Sequence, residues 1–252
     1  MKKVDLAINI AAESHVDNSF TNPISFSLTN TIGAHTFLLN CINNKVKKIV
    51  HISSDEVYGE KLIGSCDETQ KIEPTNPYSA SKSAAEKICQ SYENTYNIPL
   101  KIVNVMNVFG ETQYVEKFIP NTIKKILNDE KVLIHSYPDK IRSGTRFYIH
   151  ARNVSDAVLF IIKNGKLGET YHISGEREVN NLKMAEIIAK VIGKKLNYEM
   201  IDFHSSRPGH DLRYGLDDTK LKSLGWKPPV NFENSLKKTI EWTLKNKEWL
   251  EY

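Results

Sequence analysis

The chain has 252 residues, 40% hydrophobic and 25% charged, ordinary values for a globular protein able to bury a sizeable core as one domain with or without a small appendage. Its net charge of +4 is slight, and the basic runs KVKK (45–48) and KKTIEWTLKNK (237–247) read as solvated helix ends rather than a nucleic-acid-binding face. Three cysteines, Cys41, Cys66 and Cys89, have neither metal-ligand nor redox spacing. No apolar run reaches the ~18 residues of a membrane span and Met1-Lys-Lys opens no signal-like stretch. The expectation is a cytoplasmic protein with no metal, no nucleic-acid partner and no membrane.

In chain order, strand and helix signals alternate, which predicts α/β architecture around a parallel sheet. Residues 4–10 (VDLAINI) read as a strand and 23–42 as a long helix with apolar residues at helical spacing. KKIVHIS (47–53) is the next strand, 77–96 the next helix and 101–108 a third strand. A helix over 116–128 takes Pro120 in its first turn. Beyond Ser136 the pattern loosens, with a short strand near 147–150, a helix from Asn153, and further helices over 184–193, 216–226 and 231–246. No internal repeat, linker or low-complexity tract appears.

Two stretches carry chemistry. In ISSDEVYG (52–59) an apolar strand ends in two hydroxyls and two adjacent carboxylates, Asp55 and Glu56. Successive strand side chains point to opposite faces, so neighbouring acids can face one site only past the strand end, where open α/β sheets bind ligands. A solvated, helix-capping loop is the commoner meaning of such a pair taken alone. The second stretch is Tyr78-Ser-Ala-Ser-Lys82. Tyr and Lys four apart share a helix face, so the ammonium can lie below the phenol, lower its pKa and make it a usable base. Alone, Tyr-x-x-x-Lys is a weak signal. Some two dozen residues after an acid pair, at the start of the next helix, it is stronger.

AAESHVDNS (11–19), HISSDEVYG, PTNPYSASK, the EKFIP run and RPGHDLRY (207–214) together resemble the nucleotide-sugar 4,6-dehydratases of the extended short-chain dehydrogenase/reductase group, including those of dTDP-glucose and UDP-glucose. The resemblance covers essentially the whole chain in order and spacing. It implies NAD-dependent conversion of a nucleoside-diphosphate glucose to the 4-keto-6-deoxy sugar of rhamnose and deoxysugar synthesis. Oxidation at carbon 4 acidifies the C–H at carbon 5, elimination of the carbon 6 hydroxyl follows, and the hydride returns to carbon 6. Position by position, Ser54 matches the hydroxyl that bonds the sugar, Tyr78 and Lys82 the base pair that starts oxidation, Asp55 the acid for the leaving hydroxyl, and Glu56 the base at carbon 5. Ala11, Ala12, Ser14, Thr29 and Ser53, with Tyr78 and Lys82, match the cofactor wall. Ser14, Asn107, Glu116, Lys117, Arg146, Asn181, Arg207 and His210 match substrate contacts; arginine suits a diphosphate because its fork donates bidentately. His15 and His150 read as packed or solvent histidines. The resemblance also implies a homodimer through the helices of 23–42 and 77–96, with Phe26, Leu38, Leu39, Ile88 and Tyr92 beyond one stripe.

Several positions depart from the family pattern. Its Thr is Ser54 here, its second Asn after Asn107 is Val108, and an Asp at a helix start is Asn153, which still caps. None of the twelve glycines forms the Gly-x-x-Gly-x-x-Gly turn that holds the NAD diphosphate. VDLAINIAAES matches the family's fourth strand, so roughly 70 residues, close to one βαβαβ half, are absent. The expected fold is therefore a doubly wound, Rossmann-like parallel sheet, N-terminally truncated. Residues 1–110 are the remainder of the NAD-binding domain and 111–252 mainly a substrate-binding domain with segments interleaved into the sheet. Two further readings stay open: an inert nucleotide-sugar-binding remnant or partner of a full-length homologue, and a related epimerase or decarboxylase. The acid pair speaks against the last, because simple epimerisation requires no elimination. The base, dTDP or UDP, is left open.

Overall fold

Three consecutive parallel strands with helices between them set the frame. The computed structural model describes residues 4–202 and 211–251. Strand β1 (Leu6–Asn9) leads to helix α1 (Val16–Thr21), then to α2 (Pro23–Phe26) and α3 (Gly33–Asn43). The last two form one run of helix through a π-helical stretch, Ser27–Ile32. Strand β2 (Lys48–Ser54) ends in a 3-10 turn (Asp55–Tyr58), and α4 (Pro77–Tyr96) returns the chain to β3 (Leu100–Val105). Then come β4 (Val108–Phe109), α5 (Phe118–Leu127), β5 (Val132–Ser136), β6 (Thr145–Phe147), β7 (Ile149–His150) and α6 (Ala151–Asn164). Strand β8 (Thr170–Ile173), β9 (Glu178–Asn180), α7 (Asn181–Ile192), β10 (Tyr198–Asp202), α8 (Thr219–Ser223), α9 (Phe232–Lys245) and a 3-10 turn (Lys247–Leu250) complete the described elements.

The chain divides into two compact units, one from Met1–Val105, Asp156–Ser174 and Gly215–Lys227, the other from Met106–Ser155, Gly175–Tyr214 and Pro228–Tyr252. The first break thus falls after Val105, where the sequence suggests one near 110, and two later segments rejoin the first unit.

In the first unit the sheet order is β1-β2-β3-β8, all parallel, with Asn9 opposite His51 and Ser53 opposite Asn104. β2 and β3 are covered on both faces, as parallel strands require, so nearly every residue of both is buried, polar ones included. One of the polar residues is Lys101, the second residue of β3, which is buried and donates its ammonium to the carbonyls of Ile161 and Ile162, each at 3.0 Å. A cation is stabilised there because the last carbonyls of α6 carry the negative end of the helix dipole and have lone pairs to spare, even Ile161 O, which also accepts the Gly165 N–H at 2.8 Å. β1 is an edge strand among the described residues, and Val4, Leu6 and Ile10 along it are exposed.

The second unit packs α5, α7 and α9 around Ile123, Ile134, Met184, Ile188, Leu236 and Ile240, with β5 and β10 paired in parallel. The strand expected over 101–108 stops at Val105, and Val108–Phe109 pairs with β7 in a separate two-stranded sheet. Helix α6 begins at Ala151, ahead of the expected Asn153. Asn153 does not cap it. The side-chain amide donates to Val230 O at 2.9 Å and accepts from Val230 N–H at 3.0 Å, a two-way bond that a carboxylate could not make. Pro120 lies in the first turn of α5, where its missing N–H costs nothing.

The turn that ends β2 depends on Gly59. Its φ of 72° and ψ of −167° belong to a region essentially reserved for glycine, and an added Cβ would fall 2.4 Å from the Glu73 carbonyl oxygen. Gly59→Ala should destabilise the chain by at least ~1–3 kcal/mol in denaturant titrations, the cost of such a conformation before the clash is counted. Wild-type stability in that variant would mean that the turn is not fixed by Gly59.

Candidate active site

Ser54 stands where β2 stops being a strand. Its backbone is still extended, and its hydroxyl accepts the Glu56 N–H at 3.2 Å, capping the 3-10 turn. The same hydroxyl donates to Asp55 Oδ1 at 3.1 Å. The turn frees the two acids from strand alternation, and both are buried, Asp55 at 4% and Glu56 at 8% exposure.

Helix α4 starts beside them through a capping box: Asn76 accepts from the Ser79 N–H at 2.9 Å, and the Asn76 N–H donates to Ser79 Oγ at 3.1 Å. Pro77 occupies the first turn, which places Tyr78 at the helix start and Lys82 and Glu86 one and two turns on. All three are buried. The sequence suggests that the Lys82 ammonium lies under the phenol and lowers its pKa. The structure gives a different result. Lys82 Nζ donates to the Ile52 carbonyl at 2.7 Å, and Tyr78 is pushed well above the ordinary tyrosine range, first by burial, then by the charges of Glu56 and Asp55. A hydrogen bond with Ser54 works the other way.

Under Tyr78 lies a polar layer. Burial brings Lys82 down from 10.5 to about 8, opposed by the Glu86 charge, and raises Glu86 from 4.5 to about 7, opposed by the Asn104 hydrogen bond and by Lys82. The Asn104 amide donates both to Glu86 Oε1 and to the Ser54 carbonyl, each at 3.1 Å, and so ties the helix charge to the strand end. His51, opposite Asn9 and 3.1 Å from its amide nitrogen, is held neutral by burial, then by Lys82, at about 3.

The cofactor-wall residues lie around the C-terminal end of β1. Ala11, Ser14 and Thr29 are exposed and Ala12 is half-buried, while Ser53 is buried on β2. Sequence reading misses Asn30, in the π-helical stretch. Buried in a helix of apolar spacing, it accepts from Glu13 N–H at 2.9 Å and donates to Glu13 O at 3.0 Å and to Ser81 Oγ at 2.8 Å. It therefore joins the 11–14 segment to α4. π-Helical turns of this kind recur at functional sites. Glu86 and Asn104 are missed too; Asn104 is signalled only by its polarity in a mostly apolar strand, and Glu86, in a helix rich in polar residues, gives no signal.

In the second unit, Asn107 is half-buried and its carbonyl accepts the Ile149 N–H at 3.0 Å. Glu116 and Lys117 are half-buried just before α5, with Lys117 at its N-cap. Asn181 opens α7 and accepts the Tyr148 hydroxyl at 3.0 Å. Arg146 is buried, stacks over Tyr214 and donates to the carbonyls of Thr145, Leu212 and Asp211, each at 2.7 Å. Three of its five donors thus hold backbone. Arg207 and His210 lie outside the described residues. Among the described residues no group of His, Cys, Asp and Glu has metal-site geometry, and no helix is long and apolar enough to cross a membrane.

The donor set can be tested against NAD. A buried phenol, ammonium and serine hydroxyl at the C-terminal edge of a parallel sheet suit the nicotinamide riboside end. For the diphosphate, none of the chain's twelve glycines forms the Gly-x-x-Gly-x-x-Gly turn.

A parallel sheet whose second strand ends in a hydroxyl and two acids, followed by a Tyr-x-x-x-Lys helix, defines a short-chain dehydrogenase/reductase of the extended kind. The chain belongs to the GDP-mannose 4,6 dehydratase family, whose model matches residues 1–239, and so to the NAD-dependent nucleotide-sugar 4,6-dehydratases. It is 37% identical over 252 residues to the dTDP-D-glucose 4,6-dehydratase of Homo sapiens, covering 97% of this chain and 70% of that one. It is 36% identical over 253 residues to the trifunctional UDP-glucose 4,6-dehydratase/UDP-4-keto-6-deoxy-D-glucose 3,5-epimerase/UDP-4-keto-L-rhamnose-reductase RHM2 of Arabidopsis thaliana, covering 98% of this chain but 37% of that one. Its fold matches the dTDP-glucose 4,6-dehydratase DesIV of Streptomyces venezuelae, solved with NAD and TYD bound, with a TM-score of 0.91 and 33% identity over 98% of this chain and 76% of that one.

Glu86 gives this site a pH signature. With its folded pKa raised from 4.5 to about 7, its stabilising contribution is complete below 4.5 and is lost as pH climbs towards 7. Glu86→Gln should flatten the fall in unfolding free energy over that window and, without the Glu86 charge, let Lys82 titrate lower still. Denaturant titrations at a series of pH values check this; an unchanged slope would mean that Glu86 is ionised throughout.

Proposed function

We propose that this chain carries the catalytic half of a dehydratase that converts a nucleoside-diphosphate glucose to the 4-keto-6-deoxy sugar. The observation that carries the reading is the buried, adjacent pair Asp55 and Glu56, bonded through Ser54 and acting on the Tyr78 phenol. Oxidation or epimerisation at carbon 4 alone has no use for two carboxyls. Elimination does, because a protonated and an ionised one must stand side by side.

NAD, when bound, supplies reversible hydride transfer. Every proton movement belongs to the chain. Tyr78 takes the proton of the 4-hydroxyl, aided by the Ser54 hydroxyl that the two side chains share. Lys82, fixed by one proton on the Ile52 carbonyl, keeps two N–H donors for the ribose and the developing phenolate. Glu56 withdraws the carbon 5 proton, acidified by the neighbouring ketone, and Asp55 protonates the departing carbon 6 hydroxyl. Asn107, Glu116, Lys117, Asn181, Arg207 and His210 would bind the nucleotide sugar, with Ser14 and Thr29 on the wall. Arg146 would contribute only through its two remaining donors.

Joined to a segment that supplies the diphosphate-binding glycine turn, and given NAD and either dTDP-glucose or UDP-glucose, the chain should form a 4-keto-6-deoxy sugar visible by NMR. Glu56→Gln should still reduce NAD transiently while the elimination slows by about 10²–10⁴-fold, the usual contribution of one acid or base. Normal product from that variant removes Glu56 from the mechanism. Binding of nucleotide sugar without turnover by wild type would favour the inert-remnant reading.

A homodimer through the α2–α3 face is the second proposal. Ile24, Leu28 and Ile32 form an i, i+4, i+8 stripe, each more than half exposed, and Leu39 extends it. Phe26 and Leu38, suggested for this contact by the sequence, are instead buried in the chain's own core. A second copy laying the same stripe against this one would bury both. Light scattering should give a dimer at micromolar concentration for wild type and a monomer for Leu28→Lys; a wild-type monomer ends the proposal.

A further inference from the structure

The turn bearing the acids is held at its far end by a contact outside the Ser54–Tyr78–Lys82 set. Tyr58, its last residue, is buried, and its hydroxyl oxygen lies 2.8 Å from Nε2 of His172, which is fully buried on β8. β8 is separated from β2 by β3, so the tyrosine bridges two strand positions. The other ring nitrogen of His172, Nδ1, lies 3.1 Å from the Asp217 carbonyl oxygen. A carbonyl can only accept, so Nδ1 carries the proton. Nε2 is then bare and accepts, and the Tyr58 hydroxyl donates. The direction of the whole relay follows from that one carbonyl. The rings meet edge-on, 5.2 Å apart at 68°, and the His172 N–H donates to Glu68 Oε1 at 3.1 Å.

We propose that His172 and Tyr58 form a directional strut, phenol donating to imidazole and imidazole to the Asp217 carbonyl, that fixes the Asp55–Glu56 turn and makes both of them positioning residues for the elimination step. The role in elimination rests on the dehydratase reading above; the strut itself does not. Burial holds His172 at about 4 and keeps Tyr58 well above the ordinary tyrosine range, so both stay neutral at working pH. The rest of the turn's far end supports the same placement: Val57 O accepts the Glu73 N–H at 2.9 Å, and Glu56 O accepts the Gly59 N–H at 3.2 Å. With the near end capped by Ser54, the strut leaves the turn little room to move Glu56.

Three variants separate a strut from a space-filler. Tyr58→Phe removes the donor and strands a buried acceptor. His172→Asn can keep a donor near the Nδ1 position but does not reach Tyr58. His172→Gln can place an acceptor near the Nε2 position. In the chain as it is, without cofactor, amide hydrogen exchange at Glu56 and Gly59 should quicken about tenfold in Tyr58→Phe and His172→Asn, the scale of one lost buried hydrogen bond, and stay near wild type in His172→Gln. With NAD and nucleotide sugar, the first two should slow elimination about tenfold while KM and the transient reduction of NAD stay unchanged. Wild-type exchange in Tyr58→Phe, or equal impairment by Asn and Gln, overturns the strut. Quickened exchange with unimpaired elimination overturns the positioning role. A wild-type chain that exchanges as expected but, even when joined to a diphosphate-binding glycine turn, turns nothing over defeats the dehydratase reading and leaves the strut standing.

Discussion

Ser54 holds the site together with four hydrogen-bonding relations: its hydroxyl caps the Glu56 N–H, donates to Asp55 and engages Tyr78, while its carbonyl accepts from Asn104. The four partners belong to three pieces of the catalytic apparatus. The 3-10 turn, the helix start and the buried layer beneath them converge on one residue at the end of one strand. A serine serves because its lone pairs can accept the Glu56 N–H while its one proton turns to Asp55 or to the phenol.

Burial is the second constraint, and it opposes every charge the chemistry uses. Removing a carboxylate or an ammonium from water is costly, so proteins pair such groups or neutralise them. Here Lys82 and Glu86 face each other on successive turns of one helix, and burial draws their pKa values to about 8 and about 7. Neither group is strongly committed to its charge, a state suited to a lysine that must assist a phenol in losing and regaining a proton. Tyr78 is the opposite case. With two carboxyls beside it and Lys82 bonded to Ile52, the chain by itself favours the protonated phenol, and a positive nicotinamide nearby would be the natural counterweight.

The two ends of the cofactor problem are unequally represented. Chemistry at the nicotinamide end is built into β2, the turn and α4, all well buried. At the other end, among the described residues, β1 is an edge with Val4, Leu6 and Ile10 exposed. An apolar strand edge is a template for another strand, so whatever holds the diphosphate has a backbone ladder available beside β1.

How much of this was legible beforehand depends on the range of the interaction that decided each feature. The α/β class, the strand and helix flanking the acid pair, the Tyr78-to-Lys82 spacing and the helix start at Asn76–Pro77 follow from period, capping and sequence-local geometry, all written within a few residues. The four-residue β8 did not stand out, since TYHI has too few apolar positions to mark a strand and becomes one only by pairing with β3. Asn153 was legible as a cap by position, yet Val230, 77 residues away, claims its amide. Phe26 and Leu38 could be recognised as apolar but not assigned to the core or the outer stripe, because the π-helical stretch resets which face each residue presents. Above all, the sequence specified that a tyrosine and a lysine share a helix face; it could not specify that the lysine's proton goes to Ile52 and that burial raises the phenol. Hydrogen-bond partners and dielectric surroundings are set by residues distant in the chain, and those only the tertiary structure brings together.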